Sequence, residues 1–471
     1  MKNWIQTLAF VLVSVAAVAQ SNLTLYNFNA IPQSLHTNPA YPQQTKIWVG
    51  IPVLSGVHFH FHNNGFKLVD LLATGSDVNQ NIDNIINNLD EKSHLALTQN
   101  VDLLGIGFKM GKGFFTMGAQ QVVDFRMDYP VDLLKLVRYG NDQYIGQSLN
   151  INQFDYETLV RTNFYLGYQH SLMDDRLSIG GRIKYIIGQQ HSYVERMNAE
   201  INTNDDGFEL DIKTDILIRT AGVSSLLDNT FGDNLMGNVL PQNSGFAGDL
   251  GVFYRINDKI DVSGSVIDLG LIKWTANTRD YVSNGQFVYD GIDADLSNGD
   301  LEGSLKETQD SLKEAFDFKE VDGESYSRWL SPRLFVGGNY HFTDKHAVGA
   351  LYHARMWNGE MFHDVSFNYQ GRWSRIFQFI ASYSVINGTY NNVGAGFDLK
   401  LGPVQLYVLS DNILGAMMYE NLQTTNVRLG INLAFYGKKD KKPENTPLTN
   451  PVVPVPATDD AGSVPDNDDN N

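Results

Sequence analysis

The run Asn426–Phe435, NVRLGINLAF, constrains the fold more than any other stretch of the chain. Val427, Leu429, Ile431, Leu433 and Phe435 form one alternating set, and all are apolar. Asn426, Arg428, Gly430, Asn432 and Ala434 form the other set, polar or small. Side chains alternate faces along a strand, so one face of this segment is apolar and the other is not. Several earlier segments repeat the pattern, with long insertions alternating with short turns. This arrangement predicts an all-β chain folded as a transmembrane antiparallel β-barrel, closed by its last strand. A secreted two-layer sandwich of the adhesin type would also alternate, and it stands as the soluble alternative.

The same strand resembles the C-terminal insertion signal of outer-membrane barrels. That signal reads polar, any, Gly, two of any, apolar, any, aromatic, and Arg428, Gly430, Leu433 and Phe435 fill those places in order. The resemblance implies recognition by the barrel assembly machinery and burial of the apolar column in outer-membrane lipid. Arginine at Val427, Leu429 or Ile431 is expected to be destabilising, and arginine at the facing Asn432 to be tolerated.

Cysteine is absent, so the chain has no disulfide to brace it, and a closed strand ladder supplies that bracing instead. A net charge of −18 excludes non-specific nucleic-acid binding, which needs a basic surface. The first 19 residues read as a secretory signal peptide: Lys2, an apolar core over Leu8–Val18, and the small-residue site Ala17-Val18-Ala19. No other run reaches the roughly 18–20 apolar residues of a spanning helix. Any membrane crossing therefore uses strands.

Residues 20–44 hold Pro32, Pro39 and Pro42, which forbid a regular ladder, and Tyr26, Phe28 and Tyr41, which need burial. The expectation is a plug-like segment inside the lumen or at its mouth. The barrel is expected over residues 45–436 and a disordered tail over 437–471, with both termini on the periplasmic side. Lys46–Val53 and Ser55–His62 read as the first two strands. Phe66–Leu72 and Ile82–Leu89 read as helical insertions, as does Asp132–Arg138, and Leu296–Phe318 as a long loop carrying a helix. Phe208–Arg219 is expected to pair with the far end of Leu177–Met197. About 17 strand candidates can be marked. Single-chain bacterial barrels normally have an even number, which favours 14 strands, with 16 as the alternative.

His58, His60 and His62 share one strand face. Same-face neighbours lie roughly 6–7 Å apart, too far for one metal to reach all three easily, so the column reads as polar lumen lining. Asn202–Gly207 opens like a calcium loop, but Lys213 occupies the place where a bidentate Glu is required. Ser410-Asp411-Asn412 has the look of a β-lactamase triplet without its Ser-x-x-Lys or Lys-Thr-Gly companions. No cofactor and no catalytic residue is assigned. The inward sets contain Lys109, Arg182, Lys184, Arg255, Arg333, Arg355, Lys400 and Arg428, against few acids such as Asp249 and Asp398. A basic lumen in an acidic protein points to a path for anions or to basic side chains anchoring a plug.

Asn38-Pro39-Ala40-Tyr41, near the expected mature N-terminus, resembles a motif of Bacteroidota outer-membrane barrels linked to gliding and type IX secretion. The closing stretch Val404–Phe435, with LYVLSDNILG followed by RLGINLAF, is more similar to an uncharacterised barrel family of the same bacteria. These resemblances imply a non-enzymatic outer-membrane protein that works as an accessory of surface assembly or secretion, with other envelope proteins as partners. The plug-like segment is similar in layout to long-chain fatty-acid transporters. It implies the alternative, a plugged transporter or channel for small or amphipathic anionic solutes.

Overall fold

A computed structural model describes residues 22–65, 78–89, 92–204, 209–223, 243–289, 316–357, 359–386, 389–413 and 424–436. The expected signal peptide, the tail, the helix at 66–72 and most of the loop at 296–318 lie outside the described residues. In chain order the strands are β1 Thr45–Gly50, β2 Val57–Asn63, β3 Lys92–Met110, β4 Gly113–Pro130, β5 Ser148–Asn150, β6 Asp155–Leu172, β7 Leu177–Thr203, β8 Leu210–Ala221, β9 Asn243–Arg255 and β10 Ile260–Trp274. They continue as β11 Thr278–Tyr289, β12 Lys319–Asp322, β13 Tyr326–Trp329, β14 Arg333–Thr343, β15 His346–Trp357, β16 Glu360–Arg372, β17 Phe377–Ile386, β18 Thr389–Leu401, β19 Val404–Ser410 and β20 Thr424–Tyr436.

These segments make a closed antiparallel barrel of 14 staves. β1 and β2 are one stave, because both pair with β20 on one side and β3 on the other. β13 and β14 are likewise one stave, both laid along β10. The ladder then runs in chain order, and β20 closes it by pairing Phe435 with Ile47. Lys46–Val53 and Ser55–His62 are therefore not two strands with a reversal between them. The chain kinks over residues 51–56 and continues in the same direction. Ser55 points inward there, while Val53 and Leu54 stay exposed.

The apolar columns face outward, as the alternation requires. Leu429, Phe435, Phe367, Tyr383 and Phe397 are exposed, whereas Arg428, Asn432, Asn368, Ser382 and Asp398 are buried. An inverted burial pattern of this kind suits a barrel with lipid outside. The turns at 111–112, 173–176, 256–259, 344–345, 373–376 and 402–403 are short and lie on one rim with Thr45 and Tyr436. Several connections at the other rim are longer and carry helices α2 Val78–Asn88 and α3 Val131–Tyr139. β7 runs on past the barrel at this rim. β8 pairs with its residues 191–203, as expected, and β11 pairs with β8. Leu136, Ile151, Ile201, Ile212 and Phe316 form a separate apolar core under this ledge.

A 14-stave barrel is wider than the eight-stranded kind that side chains alone can fill. Residues 22–44 fill it. They form a short helix α1, Leu23–Asn27, a 3-10 helix, Pro32–His36, and a turn through Asn38–Tyr41. These two helical turns keep the segment out of the ladder, as its prolines require. Pro32 stands at the first position of its 3-10 helix, where it opens the helix rather than breaking it. Tyr26, Tyr41 and Leu35 are buried in one cluster with wall residues Phe253, Phe335 and Leu351.

Candidate functional site

The plug is bound to the wall at several points. The Tyr26 ring stacks on Phe335 at 5.0 Å and meets Tyr41 edge-on at 5.3 Å, and its hydroxyl donates to Ser263 Oγ at 2.9 Å. Burial pushes the Tyr41 hydroxyl pKa well above its ordinary value, so both phenols stay protonated hydrogen-bonding groups. Asn38 donates to the carbonyls of Val252 and Gly264, and its own Oδ1 accepts from Ala40 N. A Cβ at Gly180 would collide with the Pro39 carbonyl, and one at Gly251 with Asn38, so these two wall glycines are the seat of the Asn38–Ala40 turn. Gln33 exchanges hydrogen bonds with Asn432 and donates to the Ser55 carbonyl. Thr24 N donates to Asp411. The Ser410–Asn412 triplet thus pins the plug, with Asp411 also bound to Asn426.

Asn432 is fully buried in these contacts, so the expectation that arginine is tolerated there is overturned. The inner face is filled by the plug and is not wet. The glycine of the insertion-signal resemblance also has a local cause, since a Cβ at Gly430 would strike the Ser55 carbonyl.

On the long-loop side of the plug lies a cavity of about 90 Å³. Its lining includes Arg126, Arg161, Arg182, Lys184, Arg333, Arg355 and Arg428, with Asp124, Glu157 and Asp268 as the carboxylates. Asp268 holds the centre of this group. Lys184 Nζ lies 2.6 Å from it and Arg333 Nη2 2.7 Å. Lys184 also reaches Asp249 at 2.7 Å, and Arg161 pairs with Asp124 at 3.2 Å. Arg126 lies over the rings of Trp357 and Phe362, 4.1 Å from each centroid, and 3.5 Å from Asp128. Glu157 accepts from Trp357 Nε1 and pairs with His191 and Arg328.

Two of the lining cations belong equally to the plug. Arg428 Nη2 donates to Asn22 at 2.9 Å. Arg182 donates to the Leu35 carbonyl at 2.8 Å and faces His36 Nδ1 at 3.0 Å, while His36 Nε2 lies 3.4 Å from Asp102. Burial pulls the His36 imidazole below its ordinary pKa. Asp102 opposes that shift, and Arg182 and Arg428 add to it.

Of the eight basic residues read from the sequence, Arg182, Lys184, Arg333, Arg355 and Arg428 meet at this cavity. Arg255 is buried elsewhere in the wall, and Lys400 pairs with Asp398 at 3.3 Å. Lys109 is a correction: it is exposed near the end of β3, at the short-turn rim. The lumen is also richer in acid than the sequence reading allowed, through Asp102, Asp124, Asp128, Glu157, Asp261, Asp268, Asp364 and Asp411. Bulges hide some of these residues. In β10 a register shift between Val266 and Leu269 turns both Ile267 and Asp268 inward, with Asp268 at φ 63°. A strict period of two cannot anticipate that. Left-handed backbone is uncommon for a non-glycine residue, and here it aims a carboxylate at three cations, Lys184, Arg333 and Arg161. The three histidines of β2 are buried toward the lumen, where His62 Nε2 meets His94 Nε2 at 2.8 Å and His58 meets Asn100. The tip of the calcium-like stretch falls at 205–208, outside the described residues.

The profile of a family of unknown function (DUF5723) matches residues 39–411. The chain belongs to this family. No curated protein matches it. Among solved structures it is similar to the Ralstonia pickettii toluene transporter TbuX, at 9% identity over 89% of this chain and 95% of that one, with TM-score 0.43. A Pseudomonas aeruginosa FadL homologue aligns at 10% identity over 90% and 99%, TM-score 0.41. The monoaromatic hydrocarbon channel CymD aligns at 11% identity over the same shares, TM-score 0.41.

Proposed function

We propose that this protein is a plugged outer-membrane conduit for small anionic solutes, with both termini in the periplasm and its signal peptide removed near Ala19. One observation carries the reading: seven cations and three carboxylates line a cavity whose floor is the plug itself, through Asn22 and His36. A neutral hydrocarbon in this cavity would desolvate charges without replacing their partners, which is unfavourable. An anion supplies the missing partner. The accessory role in secretion or surface assembly is the second reading, and it rests on the resemblance at Asn38–Tyr41. Those residues are occupied in seating the plug on Gly180 and Gly251, which supports a structural origin for the motif. No catalytic role is proposed for the lumen, and the partners are outer-membrane lipid and the assembly machinery that inserts the barrel. In planar bilayers the full chain should conduct little, and deletion of residues 21–44 should open an anion-preferring pore. A folded, truncated barrel that conducts no better than the full chain would refute the plug. A cation-preferring pore would refute the solute class.

A further inference from the structure

Arg333 and Arg355 are direct cross-strand partners on β14 and β15, and both line the cavity. Like charges placed opposite each other across a ladder repel. Arg333 is compensated by Asp268, 2.7 Å away. Arg355 makes no hydrogen bond or ion pair with any described residue; Asp124 and Asp364 act on it only from beyond ion-pair distance. Arg126, held between Trp357 and Phe362, adds a further positive charge beside it. On the plug side Arg428 is only 4% exposed, yet its Nε and Nη1 have no hydrogen-bond partner. Its Nη2 donates to the neutral Asn22, the Tyr407 hydroxyl lies beside it, and among the described residues no carboxylate lies within ion-pair distance. Arg355 and Arg428 are thus lining cations with no carboxylate at ion-pair distance among the described residues, while Arg126, Arg161, Arg182, Lys184 and Arg333 are each paired with one.

Buried charge without a partner is unfavourable, and guanidinium forks match the oxygen geometry of phosphate and carboxylate. We infer that this cavity is a binding site for a compact dianionic oxyanion, of the phosphate or dicarboxylate class, held by Arg355 with Arg126 beside it. This deepens the conduit reading by naming the solute, but binding and flux are separate measurements.

The test is calorimetric titration of the detergent-solubilised full chain with inorganic phosphate, succinate, acetate and chloride at constant ionic strength. Phosphate or succinate should bind at least tenfold more tightly than acetate or chloride, and the tighter of the two assigns the class. Arg355→Gln should weaken that binding by roughly 10–100-fold, the loss of one or two charge-assisted hydrogen bonds. Lys109→Gln, at the exposed rim, should not change it. Heat-modifiable migration verifies that each variant is folded. Dianions that bind no better than chloride, or unchanged affinity in Arg355→Gln, would overturn the site. Tight binding without flux in liposomes would keep the site and sink the conduit.

Discussion

Tyr26 is the anchor on which the plug depends most, and Tyr26→Ala is the sharpest probe of closure. The side chain is fully buried, stacks on Phe335, meets Tyr41 edge-on and donates to Ser263. Truncating a buried aromatic costs about 3–5 kcal/mol, a range that covers the lost area and the cavity left behind. A mid-range value of about 4 kcal/mol shifts the ratio of docked to released plug by roughly a thousandfold. Tyr26→Phe keeps both ring contacts and loses only the hydroxyl, about 1 kcal/mol or a factor of roughly five. The assay is single-channel recording in planar bilayers, with protease digestion of the plug as a second readout. Open probability and cleavage rate should rise steeply in Tyr26→Ala and slightly in Tyr26→Phe, while heat-modifiable migration of the barrel stays unchanged. Equal behaviour of the two variants would mean that the stacked ring is not what holds the plug. Wild-type closure in both would mean that the plug is held by its polar contacts alone.

Leu429→Arg places a charge on the lipid face and should cost roughly 2–4 kcal/mol near the bilayer midplane, read by urea titration in liposomes. Asn432→Arg should leave the barrel in the membrane but release the plug, because it removes the exchange with Gln33; a closed Asn432→Arg pore would contradict the assignment. Gly430→Asp should prevent insertion, since its side chain meets the Ser55 carbonyl, and normal yields of heat-modifiable barrel would refute that. His36 makes docking pH-dependent. Its pKa in the docked plug lies below the ordinary 6.5, so the released plug binds more protons between the two values. Docking is therefore fully supported above about pH 6.5 and weakens as pH falls toward the docked value. Conductance should rise on acidification, and His36→Gln should lose that response; an unchanged pH profile in the variant would assign the effect to other groups.

The alternation in Asn426–Phe435 and its earlier counterparts, together with long insertions alternating with short turns, pointed to a barrel, its outward apolar face and its closing strand. A side-chain period of two leaves only one apolar face, and the inner or outer assignments along a strand follow from the first wherever the ladder is regular. The choice of 14 strands from about 17 candidates came instead from the even strand number usual in single-chain bacterial barrels. The prolines with Tyr26 and Tyr41 determined that residues 22–44 could neither join the sheet nor stay in water. The tertiary structure decided what depends on breaks in the period and on contacts distant in sequence. The kink at 51–56 merges two apparent strands into one stave, because pairing partners, not local composition, define a stave. The bulge at Asp268 turns a carboxylate inward against the alternation. The cavity itself is assembled from Asn22 just before α1, His36 of the 3-10 helix and strands spread between β3 and β20. No window of sequence contains Arg333, Arg355 and Arg428 together. They line one cavity because the closed wall turns the inner faces of β14, β15 and β20 toward a common lumen.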